Sequence, residues 1–244
     1  MSASREVRAY MSGIGAIPLL VSCLLPHLPV GTKFNHTGDD NNNKSNNISD
    51  NSTNNNTSLS PSSPTLPTSQ RSLNTTLSKS EQQELLSKNA LGALANFAVM
   101  LANKRLIVDS GALAPIVDTL EHTQKDNARQ HACRCLFALS SDNQNKHVIR
   151  ASIVVAGAIR PLVQCLRHAS SHVQWHAAGA LANLSLDSSS KVKIVAHGGL
   201  EAMVELAISS RSDKVKRQIA RGIFALTCKT EVRERLVKCG GVVS

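Results

Sequence analysis

Gly111-Ala112-Leu113-Ala114-Pro115-Ile116-Val117 decides how this chain is read, because the phrase keeps returning. It stands as Gly15-Ala16-Ile17-Pro18-Leu19-Leu20-Val21 near the start and as Gly157-Ala158-Ile159-Arg160-Pro161-Leu162-Val163 further on. It comes back as Gly198-Gly199-Leu200-Glu201-Ala202-Met203-Val204 and, shortened, as Gly240-Gly241-Val242-Val243. From Gly111 onward the copies lie 46, 41 and 42 residues apart. A helical pattern with a period of about 40 to 47 residues marks a stack of repeated helical units. Such an array is held by contacts between neighbours and presents one long surface, so binding is its default occupation.

Composition agrees. Of the 244 residues 41% are hydrophobic but only 2% are aromatic, which leaves mainly Ala, Leu, Val and Ile to build the core. Ala and Leu are strong helix formers, and no sustained strand-type alternation occurs. The fold class is all-α. The net charge is +10, and from Glu81 onward the chain carries 21 Lys/Arg against 13 Asp/Glu, so most of the excess sits in the repeats. A basic array favours an acidic peptide, an anionic lipid surface or nucleic acid, although scattered solvated Lys and Arg would give the same balance.

Three segments follow. Residues 1–33 form a partial first repeat, with one helix ending near 5–12 and another over 17–28. Residues 34–80 turn to Asn, Ser, Thr and Pro, which cannot bury enough apolar area to offset chain entropy, and are predicted to be a disordered insertion. The 96 residues between Gly15 and Gly111, about one insertion more than a period, agree. Residues 81–244 carry the regular array, its last repeat cut short. Each unit reads as a short helix ending at the repeated Gly, a middle helix and a long third helix. Ser170/Ser171 and Ser212/Asp213 precede third helices as capping residues, and Pro115 and Pro161 fall in first turns, where a missing amide hydrogen costs nothing.

The residues that bear most weight resemble the armadillo repeat, in its β-catenin-like and vacuolar-scaffold branch. They are Gly-Ala-Ile-x-Pro-Leu-Val, then Val173-Gln174-x-x-Ala177-Ala178-x-Ala180-Leu181-x-Asn183-Leu184-Ser185, and Asn145-Lys146-x-x-Ile149. The resemblance covers 1–33 and 79–244. It implies a right-handed α-solenoid of about four three-helix repeats whose third helices line a concave groove for extended peptides. An Asn on the third helix grips the ligand backbone in that family. Here Asn96 and Asn183 hold that position, while its counterparts are Ala138 and Ala225. One turn earlier stand Gly92, Arg134, Gly179 and Arg221, so Gly goes with Asn and Arg goes with Ala, twice over. If these positions line the groove, Arg134 and Arg221 favour carboxylate or phosphate; reaching solvent or a neighbouring Asp or Glu is the competing reading. Trp175 is the single Trp and lies two turns before Asn183, unlike the one-turn Trp–Asn spacing of the importin-α branch.

The sequence thus predicts a non-enzymatic scaffold binding an extended acidic or phosphorylated protein segment through Asn96, Asn183, Arg134, Arg221 and Trp175. A first alternative is a phosphate-binding patch of Lys191, Lys193, Lys214, Lys216 and Arg217 for nucleic acid or an anionic membrane. With so few aromatic rings for base stacking, specific nucleic-acid reading is not expected. A second alternative is the substrate-recognition part of a larger ubiquitin-ligase or transport complex. No metal, cofactor or catalytic residue is assigned. His172 and His176 share a face but Val173-Gln174-Trp175 between them lacks the Glu of a zinc protease, and no nucleophile elbow or phosphate loop occurs. The six cysteines include no Cys-x-x-Cys pair, and Met1-Ser2-Ala3-Ser4 opens no secretory leader. A cytoplasmic protein is expected, with the nucleus as the other compartment, neither secreted nor transmembrane. Both ends fall inside a repeat, which suggests a longer array or helices supplied by self-association.

Overall fold

The computed structural model describes residues 13, 15–24, 78–142, 144–228 and 230–240. Among them are twelve helices and no strand: α1 (Ala16–Ser22), α2 (Lys79–Phe97), α3 (Leu101–Asp109), α4 (Leu113–His122), α5 (Asp126–Ser140), α6 (Lys146–Val155), α7 (Ile159–Cys165), α8 (Ser171–Leu184), α9 (Ser188–Ala196), α10 (Gly199–Ser209), α11 (Asp213–Leu226) and α12 (Thr230–Lys238). They group as triplets α3–α5, α6–α8 and α9–α11, flanked by α1–α2 and α12.

The junction between the first and second helix of each unit explains the recurring Gly. Gly15, Gly111, Gly157, Gly198 and Gly240 all have φ between 74° and 84°. A Cβ at Gly111 or Gly157 would meet nothing within 4 Å, so conformation and not space selects glycine there. The turn lets Gly111 N–H reach Val108 O at 3.0 Å and Ala112 N–H reach Ile107 O at 3.3 Å, satisfying carbonyls that the helix end would leave open.

α2 begins earlier than composition suggested. Ser78 Oγ accepts from Glu81 N–H at 3.3 Å while Ser78 N–H donates to Glu81 Oε2 at 2.8 Å, a reciprocal cap. Lys79 and Ser80, which the 34–80 boundary gave to the insertion, are therefore helical. The remainder of that expectation, and the 5–12 helix, lie outside the described residues. The other caps also differ from expectation. Ser170 and Ser212 do occupy N-cap positions, but neither side chain accepts a helix N–H. Their backbone N–H groups bond instead to His168 Nδ1 and Ser210 Oγ.

The third helices α2, α5, α8 and α11 lie side by side in chain order. Their matching positions point inward together: Phe97, Leu139, Leu184 and Leu226 are all buried. Each such side chain contributes about 1.5–3 kcal/mol on leaving water. First helices are tied to the preceding third helix by polar side chains. Asn103 Nδ2 donates to Phe97 O at 3.2 Å, and the buried Arg150 Nε donates to Ser140 O at 3.1 Å. These bonds occupy C-terminal carbonyls that have no partner within their own helix.

Candidate partner-binding face

The third helices bring four of the named residues into two cross-repeat pairs. The Arg134 guanidinium donates to Asn96 Oδ1. Two repeats on, Arg221 donates to Asn183 Oδ1 at 3.1 Å and to Gln218 Oε1 at 2.5 Å. The alternation of Gly/Asn with Arg/Ala is thereby explained: each Arg reaches back one repeat and takes the amide of its predecessor. Neither Arg pairs with Asp or Glu among the described residues, so that part of the competing reading fails.

This geometry corrects the role expected of Asn183. Its side chain is 4% exposed, its Oδ1 holds Arg221, and its Nδ2 donates to Ser140 Oγ at 3.1 Å. A buried amide with both ends bonded is part of the array's own framework, since leaving it unpaired there would cost about 1–3 kcal/mol. Asn96 is exposed, but Arg134 occupies its carbonyl oxygen. Ala138 is half-buried and Ala225 buried.

Trp175 is half-buried and packs edge-on to Phe137, with ring centroids 5.7 Å apart, and tilted against His176 at 4.5 Å. Phe137 comes from the preceding repeat and lies over Gly179, where an added Cβ would fall 2.7 Å from its ring. Sequence reading missed Phe137, Ser140 and Gln218 because their roles depend on the offset between helices. Position 224, two repeats after 137, is again Phe, and this repetition was the available signal.

Burial pushes the His176 imidazole down to about 4, helped by the positive charge of Arg134, while the bond from its Nδ1 to His172 O opposes the shift. Burial also lowers His131, again with Arg134 contributing. Both histidines are consequently neutral at pH 7, and the charge on this face comes from the Arg residues.

Of the second set, Lys193, Lys214, Lys216 and Arg217 are exposed and Lys191 is half-buried. No carboxylate forms an ion pair with any of the five among the described residues. Lys191 lines a cleft with Ala182, Arg221 and Phe224, so the two sets meet at α8–α11. No single helix among the described residues is long and apolar enough to cross a membrane.

Residues 146–186 match the family profile described as Armadillo/beta-catenin-like repeat. Over 141 residues the chain is 33% identical to human Armadillo repeat-containing protein 3, which covers 57% of this chain and 15% of that protein. It is 25% identical over 150 residues to Vacuolar protein 8 of Schizosaccharomyces pombe, covering 62% of this chain and 26% of the relative. The chain thus spans about a quarter or less of these two relatives. A designed armadillo repeat protein in complex with peptide (KR)4 superposes with a TM-score of 0.58 at 26% identity, over 64% of this chain and 65% of that one. Residues 146–186 thus match as one armadillo repeat, and the stacked triplets have the fold of armadillo-repeat solenoids.

Proposed function

We propose that the third-helix face holds an extended acidic or phosphorylated segment of a partner protein, with Arg134 and Arg221 as its anion contacts. The observation that carries this reading is the company these two residues keep. Each is positioned by a neutral amide, so the cationic charge is held in place but not neutralised. A guanidinium has five N–H donors, and the Asn bond leaves others to receive a carboxylate or phosphate. The structural neighbour named with peptide (KR)4 takes a basic ligand; a face carrying Arg134 and Arg221 favours the opposite sign. The reading is of a scaffold without catalysis, in keeping with the armadillo fold.

Fluorescence anisotropy with an Asp/Glu-rich peptide, its phosphoserine counterpart and a Lys/Arg peptide tests it. The acidic peptides bind and the basic one does not. Arg134→Glu/Arg221→Glu weakens binding about 100-fold, since each lost ionic contact is worth about tenfold. Lys214→Glu/Lys216→Glu leaves it within a few-fold. Preference for the basic peptide, or loss with the Lys pair alone, overturns the proposal.

The exposed Lys214, Lys216 and Arg217, free of ion pairs, support a second reading: a phosphate-binding surface. In that case a single-stranded RNA oligonucleotide or phosphatidylserine vesicles bind with steep salt dependence, and only the Lys pair abolishes it.

A further inference from the structure

Each first helix carries one cation seven residues before its junction glycine: Lys104 in α3, Arg150 in α6 and Lys191 in α9. In the first two units the chain supplies an acid for that cation. Lys104 is buried and its Nζ donates to Ser141 Oγ at 2.9 Å. Burial lowers its pKa, and the charge of the buried Asp142 opposes that shift. Arg150 is buried too; it donates to Ser140 O, and Asp187 Oδ2 lies 3.8 Å from its guanidinium. Asp142 and Asp187 hold one position in the repeat, three residues after Leu139 and Leu184. Burial penalises an unpaired charge, which is what these acids relieve.

The α9 unit breaks the rule. Three residues after Leu226 the sequence has Lys229, which lies outside the described residues, and Cys228 stands where Ser141 offers its hydroxyl. Lys191 is half-buried, and its ammonium makes no hydrogen bond or ion pair among the described residues. It lines a cleft of about 340 Å³ between α8 and α11, together with Ala182, Arg221 and Ala225. Two repeats earlier the matching positions are Lys104, Ala95, Arg134 and Ala138, the same residue types in the same places. What differs is the hydroxyl and the carboxylate. The corresponding helices, α2, α3, α5 and α6 there and α8, α9, α11 and α12 here, are all described, so the difference lies in the residues and not in a missing neighbour.

We infer that this cleft is a phosphoryl-binding site, with Lys191 and Arg221 as its cations and the bound group in the role that Asp142 plays for Lys104. On the reading proposed above, the group belongs to a phosphorylated residue of the extended segment; the cleft itself does not depend on that carrier. Charge selects phosphate over carboxylate. Two cations line the cleft, the repeat register adds Lys229, and no acid among the described residues answers them. A phosphomonoester carries about −1.5 to −2 at pH 7 on three strong acceptor oxygens. Arg221 is set for it: the neutral amides of Asn183 and Gln218 hold its guanidinium at 3.1 and 2.5 Å and leave N–H donors over. Lys191 adds a compact charge on a flexible stem. Ala182 and Ala225 leave the room. At the intervening α5–α8 contact those positions are Phe137 and Asn183, and Asn183 is bonded to Ser140.

Isothermal titration of the 244-residue chain with inorganic phosphate at fixed ionic strength tests the cleft without a peptide. Phosphate binds saturably at one site. Lys191→Gln weakens it at least tenfold, while Lys193→Gln, at an exposed position of the same helix, leaves it within twofold. Lys229→Asp restores the acid of the earlier units: phosphate binding is lost and the thermal midpoint without phosphate rises, which separates the loss from unfolding. A phosphoserine peptide displaces the phosphate, and phosphatidic acid vesicles do not. The inference is overturned if phosphate shows no saturable binding, or if Lys229→Asp binds it unchanged. Equal losses with Lys191→Gln and Lys193→Gln overturn it too, since they would mean a diffuse basic surface. Phosphate binding that needs Lys191 in a chain that ignores the phosphoserine peptide, whether or not vesicles displace it, upholds the cleft and rejects the extended segment. Acidic-peptide binding that needs Arg134 and Arg221 in a chain without phosphate binding does the reverse.

Discussion

Gly179→Ala destabilises the array by about 2 kcal/mol, although alanine is the better helix former by about 1 kcal/mol. The new Cβ falls 2.7, 2.9 and 3.0 Å from three atoms of the Phe137 ring, inside any real contact distance. The ring cannot simply swing away, because Trp175 and His176 hold it from the same helix that carries Gly179. Overpacking at a repeat joint has a further consequence. Stability in a solenoid is approximately a sum of unit terms and nearest-neighbour joints, so a weakened α5–α8 joint uncouples the units on either side. Denaturant unfolding of Gly179→Ala shows a lower midpoint and a broader transition than the parent. Gly92→Ala supplies the contrast, since its Cβ would find only His131 at ordinary contact distance; there the substitution is neutral or stabilising by up to about 1 kcal/mol. Combining Gly179→Ala with Phe137→Ala costs less than the sum of the two single changes, because the ring that clashes is gone. Equal effects of Ala at 92 and 179 would show that the Phe137 joint does not govern the choice of glycine.

Much of this architecture is readable from residues that act within one unit. The junction glycine announces itself because its φ is a local requirement, repeated wherever the backbone makes the same turn. The buried Leu and Ala positions of the third helices follow from helical periodicity for the same reason. What escaped reading depends on two units at once. Asn183 looked like a free amide on a groove wall, since nothing within α8 uses it; its partners Arg221 and Ser140 are 38 and 43 residues away. Which residue meets which across a joint is set by the axial offset between third helices, and no period in the sequence encodes that offset. The pairing of Gly/Asn units with Arg/Ala units was visible, and it carried the answer in a form that required neighbouring units to be compared. Ala95, Phe137, Ala182 and Phe224, alternating in that order, extend the same pattern to a third position. The helix start showed a smaller difference: Ser78, inside the Asn/Ser/Thr/Pro tract, caps the helix together with Glu81 of the array.

Between pH 6.5 and pH 4 the array loses stability, with His176 as a principal contributor. Its imidazole is 5% exposed, packed between Phe137 and Trp175, and burial with the nearby Arg134 charge holds it at about 4. In the unfolded chain the same group titrates near 6.5. The unfolded state therefore binds a proton that the folded state refuses throughout this window, so stability rises with pH there and is fully present above about 6.5. A shift of this size corresponds to a loss of roughly 3 kcal/mol for complete passage to pH 4. His131, lowered for the same reasons, pulls in the same direction. His176→Phe separates this contribution from the general protonation of carboxylates. The substitution forfeits the bond from Nδ1 to His172 O at 2.8 Å, so at pH 7.5 the variant is less stable than the parent by about 1 kcal/mol. At pH 4.5 the order reverses, because the variant has no imidazole to protonate. Denaturant midpoints measured for both proteins at the two pH values cross if His176 is the buried neutral group described here. Parallel midpoints, with the variant weaker at both, would instead mean that His176 admits its proton without unfolding the joint.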